Sequence, residues 1–586
     1  MSPSGFSRAG RGKTPEGSEY VHVVAHRPTQ TSVTLWIQAE QSESGWTVEV
    51  VGPGASVPPI GEDSAPSQQL TNVLPGQSPT RVWGHQLTGL VPGSAYEVWV
   101  TAPFVTGRTP AATFRTLPDA LPPVPPGGPG RPFTVLLASC YSEDSDLALP
   151  VGHGVLGEAL RALTGKLRRG YVTTRSAVRR ELVGITARGN VSRRYQLLCE
   201  QVGEPDLKIL TGDQVYLDTP LVLPMSAQSV RRRISRDYSR TWDKLGYFLS
   251  HGANICASDD HEFWNDYPNR PPLLTNLPGL RGRGTRGEWD ATAREFIRKV
   301  QLAEPVVTFD LGEDLSFFVA DTRINRDVID RDRDRDRDRD RDRDRDRDGD
   351  GDPAPTDPPK FMKTEDFETL IAWIEGLRSP GVLVIGQPLL AKGGNGLDRC
   401  MPDFPEQYNR LCQTLAAAPY DVAVLSGDVH FGRVARIEIA RRDRPRPTRL
   451  FEVISSPMAL VSLFHGRFGL AKGVFSADIT TFPSGDGGSG AEPDGTGGPT
   501  TLLGGDRDAV SYAPPVQSNG KRCEDHYMTL EFTKLGGDAG IQVDVRAHLL
   551  RIPRANTAAK VQRISTFVLG GPGTADGGET LEPDYR

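Results

Sequence analysis

Hydrophobic positions change their rhythm once along this chain, near residue 133. From Glu19 to about Leu117 apolar and polar residues alternate in short runs, VHVVAHRPTQTSVTLWIQAE, WTVEVVGP and AYEVWVTA, separated by Gly, Pro and Ser clusters. Alternation of period two puts one side of each strand in a core and the other in water, so residues 19–118 are expected to form a small all-β sandwich. Trp36 and Tyr96 are read as core residues of that sandwich. The stretch LPDALPPVPPGGPGRP follows, giving a Pro/Gly linker over 119–132 that stiffens the chain and places the two regions only loosely. Beyond Phe133 the apolar runs no longer alternate. FTVLLASC, LKILTGD, NICASDD, LSFFVAD, GVLVIGQ, VAVLSGD and FEVISSP are apolar on both sides, as strands buried on both faces are. Longer segments separate them, and TEDFETLIAWIEGLR sets Phe367, Leu370, Ile371, Ile374 and Leu377 on one helical face. Strands alternating with helices predict an α/β domain over 133–570.

Two segments interrupt that domain. Asp330 to Asp348 is a strict Arg-Asp alternation, part of an insertion over 330–352 that has no apolar side chain to bury. Its charges cancel locally, and it lacks the ligand spacing of a calcium-binding helical hand. Residues 483–500 are rich in Gly, Ser and Asp and read as a surface loop. The ends, 1–18 and 571–586, are expected to be disordered or flexible. At 586 residues with a net charge of −6, the chain exceeds a single ordinary core and offers no basic stripe, so stable nucleic-acid binding is not expected. It has no apolar run of about 18 residues and so no expected membrane-spanning helix. The segment MSPSGFSRAGRGKTPEG has no secretory apolar core, which favours the cytoplasm or a processed chain. Six scattered cysteines do not form a disulfide pattern.

The chemistry gathers at strand ends. FTVLLAS runs into Cys140, LKILTG into Asp213 and Tyr216, NICAS into Asp259-Asp260-His261-Glu262, and VAVLSG into Asp428 and His430. Carboxyl ends of strands in open α/β sheets line the ligand crevice, so residues distant in sequence can converge there. The carboxylate of Asp213 could bridge two cations about 3.5–4 Å apart. A Tyr216 phenolate or Cys140 thiolate would favour a strongly Lewis-acidic ion, because only such an ion offsets their deprotonation. His261 stands among acids, which raises its pKa and keeps a proton for a leaving group. Taken singly these residues have plainer uses: Cys140 as a small buried side chain, Tyr216 as packing, Asp213 as a helix cap.

The ordered set ASC at 138–140, GDQVY at 212–216, DDHEFWND at 259–266, GDVH at 427–430 and VISSP at 453–457 resembles that of the PhoD-like alkaline phosphatases, members of the calcineurin-like metallophosphoesterases. The phrase LTGLVPGSAYEVWVTAP before TFRTLP likewise resembles the closing strands of a fibronectin type III sandwich. The first resemblance spans most of Phe133 to Leu569 and implies a four-layer αββα sandwich that hydrolyses phosphomonoesters or phosphodiesters. It implies an Fe(III)–Ca(II) centre, or another divalent metal, with Cys140, Tyr216 and His430 on iron and Asp213 as the bridge. Asp428 and Asn265 would hold the second metal, Asp260 stands where simpler relatives carry a ligand Asn, and His261 would assist the leaving group. Whether Asn265 or Asp266 reaches the metal is open. The partner implied is a small phosphoester. Two other readings stay open: a non-catalytic surface or adhesion protein, and another metal-dependent reaction such as peroxidative halogenation.

Overall fold

The computed structural model describes residues 11–13, 20–40, 46–54, 59–61, 69–70, 80–101, 109–122, 131–142, 190–218, 226–269, 283–329, 358–391, 399–441, 447–459, 500–501, 510–518, 525–536, 540–550, 560–571 and 580–581. The expected insertion over 330–352 and the loop over 483–499 lie outside them, as do most of the two terminal segments.

All seven doubly apolar runs are strands, and they divide between two sheets. Phe133–Ala138, Leu207–Thr211 and Asn254–Ala257 pair in parallel in one sheet. Leu315–Ala320, Gly381–Ile385, Val422–Ser426 and Thr448–Ile454 pair in parallel in the other. Antiparallel strands flank both sets, among them His526–Lys534 and Ile541–Leu549 in the first sheet and Arg433–Arg441 in the second.

Strand alternation explains the layering. Val135, Leu137 and Ile209 meet Phe317, Val319, Val382 and Val384 in a core between the sheets. Their sequence neighbours Leu136, Ala138 and Leu210 point the other way, against the helices Asn190–Val202, Ala227–Lys244 and Arg283–Phe296. Phe318 and Ala320 likewise turn outward from the second sheet, under Thr364–Glu375 and Pro405–Ala417. In the first of these helices Phe367, Leu370, Ile371 and Ile374 are buried, the face its periodicity predicts. The result is the expected αββα order. Asp321 ties the two sheets together at one end: it accepts from Ser258 N and Oγ at 2.8 and 2.7 Å with one oxygen, and from Arg323 N and Ile324 N at 3.0 and 2.9 Å with the other.

The N-terminal region is a two-sheet antiparallel sandwich, with Tyr20–His26, Ser32–Glu40 and Thr80–Thr88 facing Thr47–Val51, Ala95–Thr101 and Thr109–Arg115. Tyr96 lies in its core with Val23, Leu35, Val48 and Val98, as expected. Trp36 is buried on the opposite face. It belongs to the helical core of the second region, beside Tyr238, Trp242 and Val300, and its Nε1 donates to Lys299 O at 3.1 Å.

Placement of the two regions is also tighter than the linker suggests. His26 pairs in parallel with Asn254, so one sheet of the sandwich continues the first large sheet into a twelve-stranded whole. Arg27 N donates to Asn254 O at 2.8 Å, and Asn254 Nδ2 donates to Ala25 O at 2.9 Å. Thr113 Oγ1 donates to Glu204 at 2.7 Å, Gln30 Nε2 to Asp310 O at 2.6 Å, and Leu117 and Leu121 are buried in the core between the large sheets. Direct contact, rather than the proline spacer, fixes the arrangement.

Candidate metal centre

Both sheets point the carboxyl ends of their parallel strands at one place, and the turns there adopt uncommon backbone. Cys140, Asp213, Asp428 and His430 all have positive φ, from 54° to 66°. L-residues rarely accept that region, and such strain collects where surrounding structure holds a functional geometry. Glycine precedes two of these acids for a steric reason. A Cβ on Gly212, whose φ is +91°, would fall 2.4 Å from Asp259 Cβ, and one on Gly427 would fall 2.4 Å from Ser139 Oγ. Each GD pair therefore lets neighbouring turns close together.

The close approach brings three sets of donor atoms within 4.8 Å of one another: Cys140, Asp213 and His430; Asp213, Asp260 and His261; Asp259, Asp260 and Asp428. Cys140 Sγ donates to Asp213 Oδ2 at 3.4 Å and receives Ser456 Oγ at 3.1 Å. The Tyr216 hydroxyl donates to Asp213 Oδ2 at 3.1 Å and lies 3.2 Å from His430 Nε2, while its ring stacks on His261 at 4.1 Å. Thus Cys140, Asp213, Tyr216, Asp260, His261, Asp428 and His430 all converge.

Asn265 is half-buried on the same turn, with its N–H given to Asp218 Oδ2 at 3.0 Å. Asp266 is committed elsewhere: its carboxylate takes Arg399 N at 2.8 Å, Arg399 Nη1 at 2.9 Å and Asn269 Nδ2 at 3.2 Å.

Electrostatics favour cations. Burial first, then the carboxylates of Asp260, Asp259 and Glu262, push the Asp213 carboxyl well above its usual range. Burial and the Asp213 and Asp428 carboxylates do the same to the Cys140 thiol, and burial with Asp213 to the Tyr216 phenol. In this form protons are the counter-charge that a multivalent ion would replace. Asp259 Oδ2 and Asp260 Oδ1 are buried with no hydrogen-bond partner, which is costly for a carboxylate oxygen unless a cation meets it.

Two contributors, Asp218 and Gln387, escaped the sequence reading, and two members of the strand-end cluster, Asp259 and Glu262, were given no role in it. Asp259 joins the all-carboxylate group, its other oxygen paired with Arg323 Nε at 2.6 Å. Asp218 holds His261 Nδ1 at 2.8 Å. Glu262, fully buried, accepts Asp213 N at 2.8 Å, Gln214 N at 2.7 Å, Asp259 N at 3.0 Å and Gln301 Nε2 at 3.0 Å. Gln387 donates to Asp428 Oδ2 at 2.9 Å. The motif DDHE was the visible signal for Asp259 and Glu262; Asp218 and Gln387 depend on folding for their partners.

No protein-family model and no curated protein sequence matches the chain. Among solved structures it is similar to one described as the structure of PhoD, at 14% identity, over 96% of this chain and 94% of that one, with a TM-score of 0.52. A purple acid phosphatase, PPD1 from yellow lupin (Lupinus luteus) seeds, aligns at 12% identity over 90% of this chain and 71% of that one, with a TM-score of 0.41. The second superposes too loosely to bear on the architecture. The first, taken with the two-sheet layering above, shows that the chain has the αββα fold of the PhoD structure.

Proposed function

We propose that this chain is a metal-dependent phosphoester hydrolase, acting on phosphomonoesters, phosphodiesters or both. The observation that carries the reading is Asp213, a buried carboxylate of the Cys140–Asp213–His430 group whose donor atom also lies within 4.8 Å of one on Asp260, a member of the all-carboxylate group Asp259–Asp260–Asp428. A shared carboxylate is how a two-metal hydrolase holds its cations about 3.5–4 Å apart. The donors differ in kind. Thiol, phenol and imidazole at Cys140, Tyr216 and His430 suit a strongly Lewis-acidic ion such as Fe(III). The oxygen donors Asp259, Asp260 and Asp428, with Asn265 on the adjacent turn, suit Ca(II) or another hard divalent ion. Bound there, such ions would neutralise phosphoryl charge and acidify the attacking water.

The chain's own part is proton delivery. Asp218 engages His261 Nδ1, which leaves Nε2 as the nitrogen available to a leaving-group oxygen. Burial opposes the charged imidazole, but the carboxylates of Asp218, Asp260 and Asp213 more than offset it, so the pKa of His261 stands well above the usual value. Asp218 lies outside the candidate ligand set, so its hydrogen bond to Nδ1 would still favour a proton on His261 once cations take the charge of Asp260 and Asp213.

Metal analysis of purified protein, with turnover of nitrophenyl phosphate and bis-nitrophenyl phosphate, tests the reading. Bound metal and turnover that a chelator abolishes are expected. Metal-replete, folded protein that turns over neither ester would overturn it. If Tyr216 meets Fe(III) as phenolate, the protein is coloured and Tyr216→Phe removes the visible band while the fold persists. Iron-free, colourless protein active on divalent metals alone would refute the iron assignment and leave hydrolysis standing.

A further inference from the structure

The helix Arg283–Phe296 does not end as an α-helix; it widens into a five-residue π-helix, Ile297–Gln301, closed by Leu302 in the left-handed region at φ 52°. Such turns are rare and recur near functional sites. Here the widening has two local consequences. Ala303 N, the residue that would bond Lys299 O in an α-helix, bonds Ile297 O instead at 3.3 Å. The freed Lys299 carbonyl is taken by Trp36 Nε1 of the N-terminal sandwich at 3.1 Å. Two residues on, Gln301 is fully buried and its Nε2 donates to Glu262 Oε1 at 3.0 Å. Glu262 in turn receives the backbone N–H groups of Asp213, Gln214 and Asp259, the two turns that carry the candidate ligands.

We propose that Trp36, the π-helix and Gln301 form a brace that positions the metal-binding turns, so that the N-terminal sandwich sets the cation affinity of a site built by the second region. Gln301 is a positioning residue acting through Glu262, and Trp36 one acting through the register of the π-helix. An α-helical continuation would return Lys299 O to Ala303 N and rotate Gln301 away from Glu262. The indole N–H offsets the loss of that helical bond and so favours the wider turn. The idea rests on the metal-hydrolase reading of the centre.

The test is equilibrium binding of Ca(II) and of iron to metal-stripped, full-length protein, read directly by competition with a chromogenic chelator rather than by activity. Gln301→Leu, which keeps the side chain's approximate volume and removes its donor, should weaken binding roughly 10–100-fold, the usual effect of losing an outer partner of a ligand shell. Trp36→Phe keeps an aromatic ring and removes the indole N–H together with its five-membered ring; a several-fold weakening is expected. The two together should weaken binding by less than the product of the single effects, because they act in one chain of contacts. Val48→Ala, in the far sheet of the sandwich, should lower thermal stability and leave affinity alone. If Trp36→Phe and Gln301→Leu lower stability but bind cations as the parent does, the brace is refuted while the metal reading stands. A failure of the parent protein to bind any cation would instead refute the reading beneath it.

Discussion

Glu262 shows how much a single side chain can organise. Its four accepted hydrogen bonds reach two turns and a helix, and every donor is buried. Glu262→Gln replaces one carboxylate oxygen by an NH2 that faces N–H donors, so acceptors vanish and donors collide. With hydrogen bonds to charged groups contributing about 1.5–3 kcal/mol each, the variant should lose roughly 3 kcal/mol or more, read as a lower denaturant midpoint. His261 differs, since its role is chemical. His261→Ala should retain metals and slow alkyl-ester hydrolysis roughly 10²–10⁴-fold, with a much smaller loss on nitrophenyl esters, whose oxygen leaves without a proton. Equal losses on both would make His261 a ligand or a packing residue. Cys140, Asp213, Tyr216, Asp428 and His430 were legible because each ends an apolar run and belongs to a metal-competent type. Asp218 was hidden and Glu262 was visible without its role, since an acid that caps a turn is spelled the same way as one that binds an ion.

Elements explain why those side chains meet. Turns at the strand ends can crowd only where glycine removes a Cβ. Gly212→Ala should therefore cost about 1–2 kcal/mol from left-handed strain alone, beyond its contact with Asp259, and should impair metal retention measured by elemental analysis. The Arg-Asp insertion gives the opposite expectation. Its flanks are clasped, Asp327 N donating to Lys360 O at 2.8 Å and Lys360 N to Asp327 Oδ2 at 2.9 Å, so the chain leaves and returns at one point. Replacing 330–352 by a short Gly/Ser linker should keep turnover within a few-fold; loss of activity in folded protein would give the tract a role. Strand positions followed from doubly apolar runs, and the helix Thr364–Glu375 from its period. The π-helix did not: IRKVQ has no pattern that separates it from an α-helix, and the tryptophan that bonds its Lys299 carbonyl arrives from residue 36.

Across the whole molecule the two regions share hydrogen bonds, a sheet and a core. Thermal unfolding should thus be one transition seen equally by tryptophan fluorescence and far-UV circular dichroism; a separate early melt of the sandwich would contradict the shared sheet. Acid should loosen the assembly for a specific reason. Burial holds His26, His251 and His548 down to about 3, so all three are neutral in the fold at pH 5 while their unfolded counterparts bind protons below about 6.5. Between those limits the unfolded state takes up more protons, and stability falls as pH falls. His26→Gln should make the decline in denaturant midpoint from pH 6.5 to pH 4 shallower. The linker misled about this scale because proline content reports stiffness of a segment and says nothing about the surfaces it joins.

The pairing of His26 with Asn254 also has a history in time. A ribosome finishes the sandwich long before it makes strand Asn254–Ala257, so the flank of Tyr20–His26 emerges covered by Arg11–Lys13 only along Tyr20–His22 and open toward His26. At about 5–20 residues per second, that flank waits on the order of ten seconds or more for its neighbour. An open flank of unpaired backbone groups is a template for the wrong partner. During synthesis, then, this protein depends on whatever shields nascent strands, and slowing translation between the two segments should lower the yield of soluble chain.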